Sequence, residues 1–315
     1  MATNTSEAFQ IAAKQASMLA MHEADCAGRA GAGVGTLGKE SRYFMHRHAY
    51  TFSVVILMFF ALCGAELGAQ QTAFLGFDRN GYPGDAALPA LHATFAYTGY
   101  WLNNPPGTTR NSWQGHRSTL VQAGFGFLVL FNGRLDSQLQ RGDAAALGTR
   151  DGAAAVNAAH AEGFPTGTLI FLDMEEGGRM LPEQAAYLFA WAAAVRQSEM
   201  RPGVYCSGQP VNEGHGVTIT TAADIRARQP FPIALWVAQD ACPPAPGCTP
   251  HAPPVGQSGT SDAVVWQFAQ SPRRPEITRA CAASYARDGN CHVSAAPGLN
   301  IDLNTATTAD PSGGR

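Results

Sequence analysis

Three acidic residues follow directly on an apolar run in the segment TLIFLDMEEGGRM, residues 168–180. Asp173, Glu175 and Glu176 carry like charges that repel one another, so the cluster lowers the stability of the fold. A cluster with this cost indicates a functional site. Asp173 and Glu175 are two positions apart and point to the same side of an extended backbone, whereas Glu176 points away. The spacing therefore predicts that Asp173 and Glu175 act together. We expect the pKa of Glu175 to be raised by the charge of Asp173 beside it and by a wall of aromatic residues.

Eight short runs of apolar or β-branched residues follow residue 72, and most of them are continuous rather than alternating. Continuous runs of this length are typical of strands that are covered on both faces in a parallel sheet. The eight predicted strands are residues 74–78, 94–99, 125–131, 168–174, 203–207, 234–238, 263–268 and 299–303.

Helix signals separate these strands over the first two-thirds of the region. The alanine-rich segment has Thr149 or Asp151 as its expected cap, and the next begins with Pro182 in its first turn. Residues 239–262 contain too much proline for a helix. The four predicted helices lie within residues 113–124, 149–165, 181–203 and 220–229.

Alternating strands and helices predict an α/β fold, a TIM-type (β/α) barrel whose helices are missing from the last third of the ring. A doubly wound open sheet is the alternative. An open sheet, however, gives no reason for acidic residues at the ends of several strands.

Acidic residues also mark the first and the last predicted strand. Asp78 ends the first strand, and Asp302 lies near the end of the last. Because barrel enzymes place their chemistry at the C-terminal ends of the strands, we expect both to meet Asp173 and Glu175 at one mouth. A lone Asp at a strand end is more often a turn or helix cap, and acids at a barrel mouth also bind calcium. Four acids from three strands favour catalysis instead.

Aromatic and amide residues accompany the acids near the predicted strand ends. Sugars present apolar ring faces to aromatic side chains and hydroxyl groups to acids and amides, so this composition predicts a carbohydrate-binding groove. The tryptophans could equally belong to the core. The chemistry that two carboxyl groups permit in such a groove is glycoside hydrolysis. The expected substrate-binding residues are Tyr97, Tyr100, Trp101, Asn132, Tyr205, Trp236, Gln239, Trp266 and Gln267.

Composition excludes several other classes of function. The net charge is −3 with no basic block, which argues against binding to nucleic acid. No cysteine spacing suits zinc and no HExxH pair is present, so we expect no metal and no cofactor. The GxxxxGK spacing within residues 33–41 is followed by Glu40 instead of Ser or Thr, and no strand precedes it. It is therefore not a phosphate-binding loop.

The N-terminal region has the layout of a secretory signal. A basic stretch precedes an apolar run from Phe52 to Ala65, which is shorter than the roughly 20 residues that a spanning helix needs. We expect translation to begin at Met45, with residues 1–44 untranslated or disordered and residues 45–69 forming the signal peptide. A signal anchor is the alternative. The barrel is then residues 70–308, followed by a tail at 309–315, and the mature protein is secreted or periplasmic, without stable membrane insertion.

Five cysteines remain after the expected signal. Cys242 and Cys248 bracket one proline-rich loop, and Cys281 and Cys291 bracket another. An oxidising compartment favours two local disulfides, Cys242–Cys248 and Cys281–Cys291. Cys206 would then stay free on a buried strand.

Six segments together resemble family 25 glycoside hydrolases, the Chalaropsis-type lysozymes. They are GFDRNGYPG, GTLIFLDMEE, GVYCSG, LWVAQ, VVWQFAQ and NIDLNTA, and the resemblance spans residues 73 to 306. Residues 113–134 and 148–176 look closer still to a glycoside-hydrolase-like domain family of secreted bacterial proteins. The second strand, FAYTGYW, lacks the lysine usual in family 25, and the third, LVLFNGR, lacks its Tyr-His-Phe.

The resemblance implies roles for the four acids. Glu175 resembles the general acid, while Asp173, Asp78 and Asp302 resemble the carboxylates that orient it and stabilise the sugar. We expect a secreted, monomeric, lysozyme-like glycoside hydrolase acting on a β-linked amino sugar polymer such as peptidoglycan. The first alternative is a non-catalytic carbohydrate- or cell-wall-binding barrel, and the second is a secreted structural or interaction domain.

Overall fold

The computed structural model describes residues 72–239, 252–270, 299 and 301–315. In this part of the chain eight strands close into a barrel in the order β1-β10-β9-β8-β5-β4-β3-β2, and β6 and β7 form a separate hairpin. The strands are β1 Phe74–Asp78, β2 Tyr97–Trp101, β3 Gly126–Asn132, β4 Leu169–Asp173, β5 Arg201–Ser207, β6 Val211–Gly214, β7 Val217–Ile219, β8 Ala234–Ala238, β9 Ala263–Ala269 and β10 Asp302–Ala306. The TIM-type barrel predicted from the sequence is confirmed.

The helices occupy the first two-thirds of the ring, as expected. They are α1 Leu88–His92, α2 Arg117–Gln122, α3 Asp136–Leu139, α4 Ala144–Ala161, α5 Pro182–Gln197 and α6 Thr221–Arg228. The described residues between β8 and β9 contain only a 3₁₀ turn, Val255–Ser258. Within the described residues no helix combines the length and the apolar character that crossing a bilayer requires.

The longest helix, α4, begins earlier than its sequence indicates. Asp143 caps it by accepting a hydrogen bond from the amide of Ala146 at 3.0 Å. The expected caps, Thr149 and Asp151, therefore lie within the helix. Asp151 instead receives hydrogen bonds from the guanidinium of Arg134, because its side chain is buried beside the loop that leaves β3.

Helices α4 and α5 approach each other closely because two glycines face α5. A Cβ atom on Gly148 would lie 2.3 Å from the carbonyl oxygen of Tyr187, and one on Gly152 would lie 2.7 Å from that of Trp191. Substituting either glycine would push the two helices apart. This contact fixes the two helices that flank β4.

The last strand runs in the opposite direction to the other strands of the barrel. The seven other barrel strands are mutually parallel, whereas β10 is antiparallel to both β1 and β9. The last strand was expected at residues 299–303, but β10 is Asp302–Ala306. Asp302 is therefore its first residue and does not lie near its end. A reversed strand begins at the mouth where parallel strands end, and Asp302 is the register partner of Asp78. Asp302 therefore still lies at the predicted mouth.

Residues 309–315, expected as a tail, pack against the N-terminal ends of β3 and β4. Ser312 is fully buried, and its hydroxyl accepts a hydrogen bond from the amide of Val129 at 2.9 Å. Its own amide donates to the carbonyl of Phe127 at 2.9 Å, and its carbonyl accepts from the amide of Leu169 at 2.8 Å. The segment therefore closes the end of the barrel opposite the acids.

Several sequence predictions lie outside the described residues. They are the untranslated or signal segments up to residue 69 and the disulfides Cys242–Cys248 and Cys281–Cys291. Cys206 lies on β5 as a buried, free thiol.

Candidate active site

The four predicted acids gather at the mouth formed by the C-terminal ends of the parallel strands. Asp78 ends β1, Asp173 ends β4, and Asp302 begins the reversed strand β10. Burial raises the pKa of Tyr205 well above its usual value, and the charges of Asp173, Glu175, Asp78 and Asp302 add to this rise. One tyrosine hydroxyl on β5 is thus within electrostatic reach of all four carboxyl groups.

Asp78 is held as a charged acceptor by two amide groups. Its side chain is only 6% exposed. Its Oδ2 atom accepts a hydrogen bond from Nε2 of Gln267 at 2.9 Å and one from Nδ2 of Asn304 at 2.6 Å. Burial raises the pKa of Asp78 to about 6, although the bonds from Asn304 and Gln267 lower it. At neutral pH the ionised form of Asp78 therefore predominates.

The orientation of both amides is fixed from behind. The carbonyl oxygen of Gln267 accepts the hydroxyl hydrogen of Tyr205 at 2.8 Å, and that of Asn304 accepts the indole N–H of Trp236 at 2.9 Å. Since each carbonyl is engaged by a donor, each NH₂ group must face Asp78. Nε2 of Gln270 also donates to Tyr205 and Gln267 at 3.1 and 3.0 Å.

Asp173 has the opposite environment. It is 7% exposed, and its Oδ1 atom is shielded from solvent without a hydrogen-bond partner among the described residues. Burial, followed by the charges of Glu175 and Asp78, raises the pKa of Asp173 well above its usual value. Among the described residues Asp78 has two side-chain donors, whereas Oδ1 of Asp173 has none, so the surroundings of Asp173 favour its protonated form more strongly.

Glu175 is the most accessible of the mouth acids. It lies two residues beyond β4 and is exposed, although the surrounding loops partly remove its carboxyl group from bulk water. This desolvation raises the pKa of Glu175, and the charge of Glu176 adds to the rise. The sequence had assigned that charge effect to Asp173. Glu176 faces away from the mouth, as expected, and accepts hydrogen bonds from the amide of Asp136 and from Nε2 of Gln184.

The floor of the mouth is built from large side chains inside the barrel. The rings of Tyr205 and Trp236 lie 4.4 Å apart, and Trp236 meets Phe171 edge to face at 6.0 Å. The ring of Tyr97 covers Gly76, where a Cβ atom would lie only 2.2 Å from it. Tyr97 and Trp236 are fully buried. They support the acids from below and are not exposed to a sugar.

Three other predicted aromatic residues also miss the open mouth. Tyr100 lies outside the barrel wall, because it is three residues from Tyr97, and its hydroxyl donates to Glu162 at 2.5 Å. Trp101 is buried and donates its indole N–H to the carbonyl of Arg79 at 3.1 Å. Trp266 alternates with inward-facing Gln267, is buried, and donates to the carbonyl of Gln239 at 2.8 Å.

The remaining predicted residues lie nearer the rim. Asn132 is partly exposed, and its backbone amide donates a hydrogen bond to Oδ1 of Asn103 at 2.7 Å. Its Nδ2 atom donates to the backbone carbonyl of Asn104 at 2.9 Å. It therefore ties the end of β3 to the loop after β2. Gln239 is also partly exposed, and its amide donates to the carbonyl of Gln267 at 3.0 Å.

The sequence prediction missed Asn304. The sequence contains a feature that could have identified it. Asn304 follows Asp302 by two residues and so points to the same side of the strand. No group of three or more His, Cys, Asp or Glu residues within the described part of the chain has the arrangement of a metal site.

Comparison with solved structures gives several distant matches. The Mycobacterium tuberculosis Tat-secreted protein Rv2525c, in complex with L-tartrate, is 14% identical with a TM-score of 0.46, covering 75% of this chain and 95% of that one. An uncharacterised Bacillus stearothermophilus protein is 19% identical with a TM-score of 0.46, covering 74% and 95%. The Clostridium perfringens spore cortex lytic enzyme SleM is 14% identical with a TM-score of 0.46, covering 75% and 68%. No curated protein matches the sequence.

A family model matches a large part of the sequence. The match covers residues 93–251, just over half of the 315-residue chain, and contains Asp173 and Glu175. The barrel brings Asp78, Asp302 and Asn304 to this segment from outside the match. The chain belongs to the Rv2525c-like, glycoside hydrolase-like domain family.

Proposed function

We propose that the protein is a lysozyme-like glycoside hydrolase that cleaves a β-linked amino sugar polymer such as peptidoglycan. The observation that carries this proposal is the contrast between two acids at one mouth. Asp78 is charged and held by two amide donors, whereas Glu175 is accessible and has a raised pKa. A charged carboxylate and a protonated carboxylic acid are the two groups that glycoside hydrolysis requires.

Glu175 supplies the proton in this mechanism. As the bond from the anomeric carbon to the bridging oxygen breaks, the bridging oxygen takes the carboxyl proton of Glu175. A water molecule then adds to the anomeric carbon and returns a proton to the enzyme. The raised pKa keeps Glu175 protonated to a higher pH than an ordinary glutamate.

Asp78 stabilises the positive charge that develops on the sugar. Its Oδ2 atom takes both amide hydrogen bonds, while its Oδ1 atom receives none from the described residues. That oxygen is available to face the oxocarbenium-like centre or the acetamido group of the substrate. The raised pKa of Asp173 favours its protonated form and so limits charge repulsion beside Asp78, and Asp302 is the register neighbour of Asp78 at the same mouth.

The burial of the aromatic residues argues against the non-catalytic alternative. A barrel that only binds glycans needs exposed aromatic rings on which sugars can stack. Tyr97, Tyr100, Trp101, Trp236 and Trp266 are all buried. A cluster of carboxyl groups above a floor of buried side chains is therefore more typical of a catalytic site than of a site that only binds glycans.

The proposed substrate also fits the expected location. Peptidoglycan lies outside the cytoplasmic membrane, so the proposal includes export through the signal peptide and action as a secreted or periplasmic monomer.

A turnover assay on the purified protein tests the proposal. Peptidoglycan and chitin-type oligomers are incubated with the wild type, and new reducing ends are measured. We expect hydrolysis of at least one of these polymers. Tight glycan binding without any hydrolysis would instead support the carbohydrate-binding barrel, and neither binding nor hydrolysis would favour a structural or interaction domain.

A further inference from the structure

The loop between β4 and α5 carries Glu175, and a buried threonine holds it from the far side. This Glu175 loop comprises residues 174–181. Gly178 turns it with a φ of 87°, a left-handed conformation that favours glycine. The carbonyl of Gly178 accepts a hydrogen bond from the hydroxyl of Thr221, the first residue of α6, at 2.8 Å. Thr221 is 1% exposed, so water cannot readily replace this bond.

A second buried group of α6 holds the next turn of the Glu175 loop. Oδ2 of Asp224 accepts a hydrogen bond from the amide of Met180 at 2.9 Å. Nη1 of Arg228 donates to the carbonyl of Met180 and to Oδ2 of Asp224, both at 3.0 Å. Both backbone groups of Met180 are therefore fixed by one face of α6.

The hairpin β6–β7 adds contacts of a weaker kind. Arg179 donates to Glu213 on β6 at 2.9 and 3.1 Å, but Arg179 is half exposed and such surface pairs contribute little. Val211 on β6 lies against Gly178. On the other side of Glu175, the carboxylate of Glu176 is held by α3 and α5.

We propose that Thr221 and Asp224 are positioning residues for Glu175, acting through the backbone of Gly178 and Met180. They fix the height of the Glu175 carboxyl group above the floor of the mouth. This inference rests on the proposed role of Glu175 as the acid. A displacement of about 1 Å at a reacting group can lower a rate by up to 100-fold, so a bond this far from the substrate can matter.

The hydroxyl groups of two adjacent threonines at the start of α6 make different hydrogen bonds. The hydroxyl of Thr220 accepts a hydrogen bond from the amide of Ala223 at 3.1 Å and so caps the helix. Thr221 is not needed for that cap, and its hydroxyl reaches the Glu175 loop instead. Thr220 is therefore a matched control for a loss of stability without a loss of positioning.

The test compares Thr221→Val, Thr221→Ser and Thr220→Ala in the full chain. We expect Thr221→Val and Thr220→Ala each to lower Tm by about 2–4 °C. Only Thr221→Val should lower kcat on soluble peptidoglycan oligomers, by about tenfold or more, with KM within about twofold. Thr221→Ser keeps the hydroxyl and should restore kcat.

A second readout does not depend on turnover. The groups that act on or respond to Glu175 are Glu176 on its own loop, Asp173 on β4 and Tyr205 on β5. If the loop loosens, water reaches the carboxyl group, and the pKa of Glu175 falls toward its ordinary value. Titration of ¹³C-labelled glutamate by NMR, assigned with Glu175→Gln, measures this shift.

The two readouts separate the inference from the proposed function. A pKa of Glu175 that falls in Thr221→Val but not in Thr220→Ala supports the positioning role, even if the wild type proves unable to hydrolyse any glycan. Equal kcat values and equal pKa values in these two variants would overturn it.

Discussion

Asn304 donates a hydrogen bond to Asp78 over 2.6 Å, across the antiparallel pair of strands that closes the barrel. The same amide accepts the indole N–H of Trp236 through its oxygen, so it cannot rotate without breaking both bonds. The reversed strand β10 therefore does more than close the ring. It brings a fixed donor to the acid that ends β1.

Replacing Asn304 should move the acid side of the pH–activity profile. The bond from Asn304 lowers the pKa of Asp78, which is about 6 in the intact site. In Asn304→Ala this pKa should rise, so activity that requires ionised Asp78 would be lost at a higher pH on acidification. Measuring kcat/KM from pH 4 to 8 checks this. Thr305→Val, on the opposite side of the same strand, is the control and should leave the profile in place.

Glu175→Gln should remove the proton donor while leaving the fold intact. The expected loss is on the order of 10²–10⁴-fold in kcat, with glycan binding nearly unchanged. Reducing-end assays and calorimetric binding measure the two quantities. Glu183→Gln, at a partly exposed position in the first turn of α5, is the control. Hydrolysis at the wild-type rate by Glu175→Gln would exclude this residue as the acid.

Glu176→Gln should act on pH dependence more than on the maximal rate. The charge of Glu176 raises the pKa of Glu175, and its side chain points away from the mouth. Without that charge, Glu175 loses its proton at a lower pH, so the alkaline limb of the pH–activity profile should shift to lower pH. The kcat at the optimum should change little. A limb that stays where it is in the wild type would show that burial alone sets the pKa of Glu175.

The sequence predicts where strands lie better than where side chains end up. Continuous apolar runs identified all eight barrel strands, because strands covered on both faces carry few polar residues. The two-residue spacing correctly put Glu176 on the other side from Asp173. The direction of β10 could not be predicted, since an apolar run reads the same for a parallel and an antiparallel strand.

Depth within the barrel was also hidden from the sequence. Tyr97 was expected at the rim, but it fills space above Gly76, which depends on a partner from another strand. Tyr100 has the same composition signal and yet faces outward to Glu162. Residue type indicates that an aromatic ring is near a strand end, and only the register between strands determines which side of the wall it occupies.

Asp173→Asn should stabilise the protein at neutral pH. The folded-state pKa of Asp173 is raised above the unfolded value of 3.8, so folding is progressively disfavoured as pH rises above that value. The wild-type free energy of unfolding should therefore fall between pH 4 and the folded-state pKa, and the variant should lose this contribution. Urea unfolding at pH 5 and 8 measures the difference. Asp143→Asn, which keeps a good helix cap, should leave the pH dependence unaltered.

Ser312→Ala should lower the stability of the protein without altering the active site. The hydroxyl of Ser312 is the acceptor for the buried amide of Val129, and removing it leaves that N–H unpaired at a cost of about 1–3 kcal/mol. Ser112→Ala removes the same kind of bond, from the amide of Tyr82 to a serine hydroxyl, at an exposed site where water can replace it. Urea unfolding should thus separate the two variants, while both keep the wild-type kcat. If the two lose equal stability, residues 309–315 do not contribute the buried contact that closes this end of the barrel.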